Sequence, residues 1–237
     1  MIELEELQEI LYNIYLSSPQ NLFDQFILEC QKWYEAPAHS FSEMRTRDNK
    51  KIRGDIFEAF SLLYLKYVKG YKKVWLLKDI PTDILEKLCM KKRDMGIDLV
   101  IETHDNLFIA IQCKYKKHNS FKQNILSWKS LSTFYALCLR TGPWSKYIIM
   151  TNCIYTRHQG KKTEKDISYC LKTFENITKE EWLKMCEKNG EKLGSDESLV
   201  EIPDLTEKIK EGKNIKKTKE IIPSQEDLRK LREKYYS

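Results

Sequence analysis

With 237 residues, 41% of them hydrophobic and 32% charged, the chain is long enough for one sizeable core and too short for two large domains. No apolar run approaches the roughly 18 residues that a membrane span requires. The acidic opening Met1-Ile2-Glu3-Leu4-Glu5-Glu6 is unlike a secretory signal, so an intracellular protein without a membrane segment is expected.

The first forty residues predict two helices, about Glu3 to Tyr15 and Leu22 to Tyr34, separated by Ser17-Ser18-Pro19. A polar segment from Ala36 to Lys51 reads as a loop leading into the basic residues Arg45, Arg47, Lys50, Lys51 and Arg53. The run from Asp55 to Lys69, DIFEAFSLLYLKYVK, is a dense helical pattern closed by Gly70. Val74 to Leu77 then predicts a short strand, and Thr82 to Cys89, after Pro81, a short helix. Ile97 to Glu102 and Leu107 to Tyr115 predict two strands of a hairpin around Thr103-His104-Asp105-Asn106. Asn124 to Leu139 reads as a second core helix, and Lys146 to Met150 as a buried strand ending at Thr151-Asn152. A capping box, Thr178-Lys179-Glu180-Glu181, opens a helix to about Lys188. From about Leu205 the chain is rich in Lys and Glu and reads as a linker with an exposed helix from Ser224. The expected division is an N-terminal helical extension over 1–50, a core domain over 51–190, and a linker with a helical tail over 191–237.

Charge is distributed unevenly along these elements. Asn106 to Thr163 holds ten Lys and Arg and no Asp or Glu, which leaves 31 basic against 35 acidic residues elsewhere within a net charge of +6. A polyanion docking on one side accounts for this polarity better than a uniformly solvated lysine surface. The seven cysteines stand singly with no CxxC pair and there are four histidines, so a zinc site of the usual kind is not expected; free thiols in a reducing compartment are.

One strand is chemically unusual. Alternation at period two puts Phe108, Ala110, Gln112 and Lys114 on one face, and Asp98, Val100 and Glu102 share a face of the preceding strand. A hairpin loop of odd length, three or five residues, sets Asp98 on the same face as Gln112, and Gly96 leaves room beside them. An aspartate and a glutamine carbonyl offer two hard oxygen ligands that suit Mg²⁺ completed by water and phosphate. Such an ion activates and orients a water and neutralises charge on a leaving oxygen, while Lys114 is a mobile point charge for a transition state. Glu58, one turn into the Asp55 helix, is a further carboxylate directed toward packed structure. Each residue alone is most simply the polar half of an exposed sheet or helix; their joint occurrence carries the functional reading.

That joint pattern resembles a known family. GDIFEAFSLLYLKY, RDMGIDLVIE, IAIQCKYKK, the helical run Ser127 to Leu139 and KYIIMTN are similar to the Mrr-type nuclease domains of the PD-(D/E)xK, restriction-endonuclease-like class. The likeness is to those at the N-terminus of type ISP restriction-modification enzymes and related predicted helicases, and it covers roughly residues 53 to 185. It implies an α/β fold with an αβββαβ core, a mixed central sheet flanked by helices. Within it Asp98, Gln112 and Lys114 match the metal-binding and catalytic motif and Glu58 the acid of the first core helix. It further implies that Cys113 lends its backbone carbonyl to the metal and that Asp94 stands behind the ligands. The Gln at the second metal position, normal for the Mrr branch, leaves the site one charge poorer. Neither a Walker motif nor a methyltransferase segment follows residue 190, so a free-standing nuclease, or one paired with a helicase or other DNA-processing protein, is expected, and a homodimer stays open.

The activity expected is Mg²⁺-dependent hydrolysis of DNA phosphodiesters, with Mn²⁺ as a substitute, weak sequence preference and a role in restriction, repair or recombination. The alternative is an inactive nucleic-acid-binding module of the same fold acting with a partner. Arg53, then Lys116, Lys117, His118 and Lys122, and after the last core strand Arg157, Lys161 and Lys162, are the expected phosphate contacts.

Overall fold

The computed structural model describes residues 3–17, 19–35, 49–93, 96–117, 124–157 and 163–187. Helices α1 (Leu4–Leu16) and α2 (Leu22–Glu35) precede α3 (Asn49–Leu63), which continues into one π-helical turn over Tyr64–Val68. Strand β1 (Lys73–Leu76) and helix α4 (Thr82–Lys87) lead to the hairpin strands β2 (Leu99–Glu102) and β3 (Phe108–Lys114). There follow β4 (Ile125–Leu126), α5 (Ser132–Cys138), β5 (Lys146–Thr151), β6 (Tyr155–Thr156), β7 (Asp166–Tyr169), α6 (Leu171–Glu175) and α7 (Lys179–Cys186).

A five-stranded sheet runs in the order β1-β2-β3-β5-β7. Its first three strands are antiparallel, while β3, β5 and β7 are parallel. A hairpin joins β2 to β3, whereas the parallel β3–β5 pair requires a long crossover, which α5 supplies. The order helix, three strands, helix, strand is the expected αβββαβ core of a mixed α/β fold.

Period-two alternation divides the sheet between two cores. Leu99, Ile101, Ile109, Ile111, Ile148 and Met150 pack against α1, α2, α3, α6 and α7. Val100, Phe108, Ala110 and Ile149 face Leu85 of α4, Phe134 and Cys138 of α5, and Trp144. Both faces of β2 and β3 are thus covered, and the polar residues on them are not the outer half of an exposed sheet. Glu102 meets this constraint through Lys72 and Lys73 at 3.6 and 3.3 Å. It lies at the end of β2 away from Asp98.

The N-terminal helices belong to the larger core. Leu7, Leu11, Phe23 and Phe26 are buried in the same cluster as Phe57, Phe60, Phe174 and Trp182. Gln8 Nε2 donates to the carbonyls of Met185 and Glu187, and Trp182 Nε1 to that of Leu11, 2.9 Å away. The Thr178–Glu181 capping box forms as the sequence indicates, each side chain meeting the other's backbone amide.

Several elements depart from the sequence reading. The helix expected over Asn124 to Leu139 is only Ser132–Cys138. Ahead of it Ile125 and Leu126 pair in parallel with Tyr155 and Thr156, and Trp128–Ser130 forms a 3-10 turn. Tertiary pairing overrides helical periodicity there. The Asp55 helix starts earlier, at Asn49, and its last turn is π-helical, ending at Gly70 with φ +67°. β7 is not apparent in the sequence because it is a four-residue edge, half-buried throughout, with only Ile167 and Tyr169 apolar. The expected tail helix from Ser224 lies outside the described residues.

All seven cysteines are free thiols, and five of them are buried. Burial pushes the thiols of Cys138 and Cys186 up to about 12. A folded-state value raised for an acid stabilises the fold below the ordinary thiol range, and that contribution is lost as pH rises toward the folded value. Stability followed by urea titration is therefore expected to fall between the ordinary value of 9.0 and about 12, and Cys138→Ala should flatten part of that slope.

Candidate active site

The hairpin loop between β2 and β3 spans Thr103 to Leu107, five residues, so the odd-length condition holds. The register Leu99↔Ile111 and Val100↔Ala110 sets Asp98 across from Gln112. The Asp98 amide donates to the Ile111 carbonyl at 2.9 Å, which carries the pairing one residue past the strand.

Asp98 Oδ2 then accepts two hydrogen bonds, one from Gln112 Nε2 and one from the Cys113 amide at 2.6 Å. Gln112 is 2% exposed, and a buried amide without partners is costly, so the Asp98 carboxylate also serves the fold. Bonds of this kind to a charged acceptor are among the stronger ones in proteins. Gln112 turns its NH₂ toward Asp98. A Cβ added at Gly96 would stand 3.6 Å from its Oε1 and 3.5 Å from the Phe134 backbone nitrogen.

Gly96 itself has φ +108°, outside the range side-chain-bearing residues adopt readily. Gly96→Ala meets only ordinary contacts, so its cost is backbone strain of about 1–3 kcal/mol. Denaturant titration should show that loss, and the displaced Asp98 should lower activity as well.

Lys114 ends β3, two residues beyond Gln112 and half-buried. Its carbonyl accepts from Thr151 Oγ1 at 2.6 Å. Asn152 then extends the β3–β5 pairing with its side chain: Oδ1 accepts from the Lys116 amide and Nδ2 donates to the Lys116 carbonyl, both at 2.7 Å. Thr151 and Asn152 thus hold the backbone on both sides of Tyr115 and fix where Lys114 leaves the sheet. Their signal in the sequence is a polar Thr-Asn pair closing an apolar strand, which by itself indicates no role.

Glu58 projects from α3, on the opposite face of the sheet. Its Oε1 lies 3.9 Å from where a Gly54 Cβ would stand, so the carboxylate folds back along the preceding turn. The buried Cys113 thiol faces that helix. Burial raises it well above the ordinary thiol range, and the negative charges of Asp98 and then Glu58 raise it further. Both carboxylates are therefore within electrostatic reach of one sulfur at the end of β3.

Of the basic residues, Arg53 sits on α3 close enough for its charge to act on the Tyr115 phenol, which burial holds above its ordinary range. Lys116 is tied down, its Nζ donating to the Ile125 carbonyl at 2.7 Å. Lys117 is exposed, with its carbonyl bonded to Asn124 Nδ2. Arg157 is exposed too, and its amide donates to the Leu126 carbonyl at 2.8 Å. The small β4–β6 sheet thus ties both Lys116 and Lys117, after β3, and Arg157, after β5, to the segment 124–126. Asp94, His118, Lys122, Lys161 and Lys162 lie outside the described residues.

As a metal site the donor set would be an aspartate carboxylate, a glutamine amide oxygen and a backbone carbonyl, with a glutamate behind them on the other face. These are hard oxygens, the kind Mg²⁺ takes. Among the described residues no three His, Cys, Asp or Glu side chains gather as metal ligands, so any ion held here would need water or phosphate oxygens to complete its shell. That partial, oxygen-only set fits Mg²⁺ and not a structural zinc.

The mixed five-stranded sheet flanked by helices is the fold of a restriction-endonuclease-like nuclease domain. The chain belongs to the restriction endonuclease family, whose model matches residues 65–186, just over half of its length. Glu58 and Arg53 precede the matched segment. Among solved structures the ATP-dependent Type ISP restriction-modification enzyme LlaBIII bound to DNA aligns at 23% identity, with a TM-score of 0.37. That alignment covers 59% of this chain and only 8% of the larger enzyme. No curated protein matches the chain. Among the described residues no helix is long and apolar enough to cross a membrane.

Proposed function

We propose that the domain is a Mg²⁺-dependent DNA endonuclease of weak sequence preference, with Asp98, Gln112 and Lys114 at its centre. The supporting observation is the junction at which Asp98 Oδ2 accepts from both Gln112 and Cys113, beside the strand end that carries Lys114. Asp98, Gln112 and the Cys113 carbonyl would hold the metal, with Glu58 reaching it through water; Mn²⁺ is expected to substitute. When bound, Mg²⁺ lowers the pKa of a water and offsets charge on the phosphate.

The chain's own groups do the rest. Gln112 presents its carbonyl after rotation about its terminal torsion, which is soft and roughly two-fold. Asp98 keeps the Cys113 amide bond meanwhile, so β3 stays in register. Lys114 sets its ammonium against a non-bridging phosphate oxygen, where negative charge grows in the transition state. Arg53, Lys117 and Arg157, with the basic residues 118, 122, 161 and 162, would hold the flanking phosphates. A second copy of the chain would supply the cut on the other strand, and a helicase or other DNA-processing partner would deliver the substrate.

The test is a panel of supercoiled, nicked and branched DNA with Mg²⁺ or Mn²⁺. Lys114→Ala is expected to slow cleavage by about 10²–10³-fold, with unchanged stability because the side chain is only half-buried. Wild type and variant indistinguishable on every substrate would leave an inactive DNA-binding module as the better reading.

A further inference from the structure

A second recess lies one residue upstream of Asp98. Its floor is apolar, made by Leu77, Met90, Ile97 and Leu137, and its volume is about 320 Å³. Its mouth carries Lys91, Arg93 and Arg140, all exposed, and no acidic residue is among the described residues that line it. The walls are tied together: the Gly142 amide donates to the Leu88 carbonyl at 2.9 Å, joining the end of α5 to the turn after α4. On the strand side, the Leu77 amide donates to the carbonyl of Asp98 itself at 2.9 Å.

This combination selects its occupant. The volume is at the small end of ligand pockets, enough for one planar heterocycle and too little for a duplex. An apolar floor with a thioether suits a ring face, and arginine planes stack on bases while their charge holds phosphate. A free apolar ligand has no use for three cations, and a phosphate alone has no use for the floor.

We infer that this recess takes one unstacked nucleotide of a DNA strand next to the phosphate that would sit at the Asp98 site, its base on the half-buried Met90 and Leu137 and its phosphate on Arg93 and Arg140. The inference rests on the nuclease reading above and deepens it: the preferred substrate carries an unpaired nucleotide near the cut, as at a gap, flap or branch. Blunt duplex lacks the group that fills the recess.

Cys89 gives a reporter, since it lines the recess and is the one of the seven thiols that is exposed. The full-length protein is treated with N-ethylmaleimide in EDTA, and the rate of Cys89 modification is read by peptide mass spectrometry. At a concentration tenfold above Kd, gapped DNA is expected to slow labelling by about tenfold, and blunt duplex of equal length to leave it unchanged. Arg93→Gln with Arg140→Gln, both at exposed positions, should abolish the protection without loss of fold. Equal labelling rates with gapped and blunt DNA overturn the inference. So does protection by a free deoxynucleoside monophosphate but not by gapped DNA. Cleavage with Mg²⁺ is followed in parallel: protection without cleavage removes the nuclease reading and keeps the recess.

Discussion

Trp182→Ala is expected to cost most of the stability of the domain. The indole is fully buried, packs 6.0 Å from the Phe60 ring centre, and donates to the Leu11 carbonyl. Truncation of a large buried aromatic costs about 3–5 kcal/mol, and a buried carbonyl left without its donor adds about 1–3 kcal/mol. The sum approaches the whole stability of an ordinary domain, about 5–15 kcal/mol. Urea titration should show a midpoint near zero denaturant, or no folded baseline. Trp182→Phe retains most of the packing and loses the hydrogen bond, so it should recover most of the difference. The consequence extends to function, because α1, α2 and α7 support the helix that carries Glu58.

Asp98→Asn is expected to act on turnover with little effect on binding. An asparagine preserves the shape, and because both bonds go to one oxygen, its carbonyl can still accept from the Cys113 amide and from Gln112 Nε2. Removing the carboxylate takes away the negative charge that faces Gln112 and that is proposed to hold the metal. Cleavage should fall by about 10³-fold, the order seen when a group acting only in the transition state is lost. DNA affinity should hold or rise, because a negative charge beside the phosphates has gone. A filter-binding titration and a single-turnover rate on the same DNA separate the two effects.

The candidate site is legible in the sequence because its parts lie close together and obey period two. Asp98 and Gln112 sit on one hairpin, so loop parity alone puts them together, and the loop has the five residues this requires. The bland alternative, a polar outer face, fails because α4 and α5 cover that side. Glu58 reaches the neighbourhood from the far face, a relation across the sheet that spacing cannot express. Residues whose role is to hold backbone are not legible: Thr151 and Asn152 matter through Lys114 and Lys116, thirty-six or more positions away in the chain. The Asn124 helix fails for the same reason, since Ile125 and Leu126 find strand partners at Tyr155 and Thr156. Lys116, expected among the phosphate contacts, also closes the junction of β3 with β4 through the Ile125 carbonyl, a role that its place in a basic run does not reveal.

Whether Asp98 anchors a metal-dependent cleavage site is tested most directly by the single-turnover cleavage rate of end-labelled gapped DNA as Mg²⁺ is raised, for wild type and Asp98→Asn. The wild-type rate is predicted to saturate with Mg²⁺ and to vanish in EDTA, and the variant's to stay at least about a hundredfold lower at every concentration. Equal Mg²⁺ dependence in the two proteins, or cleavage that persists in EDTA, contradicts a metal site built on Asp98.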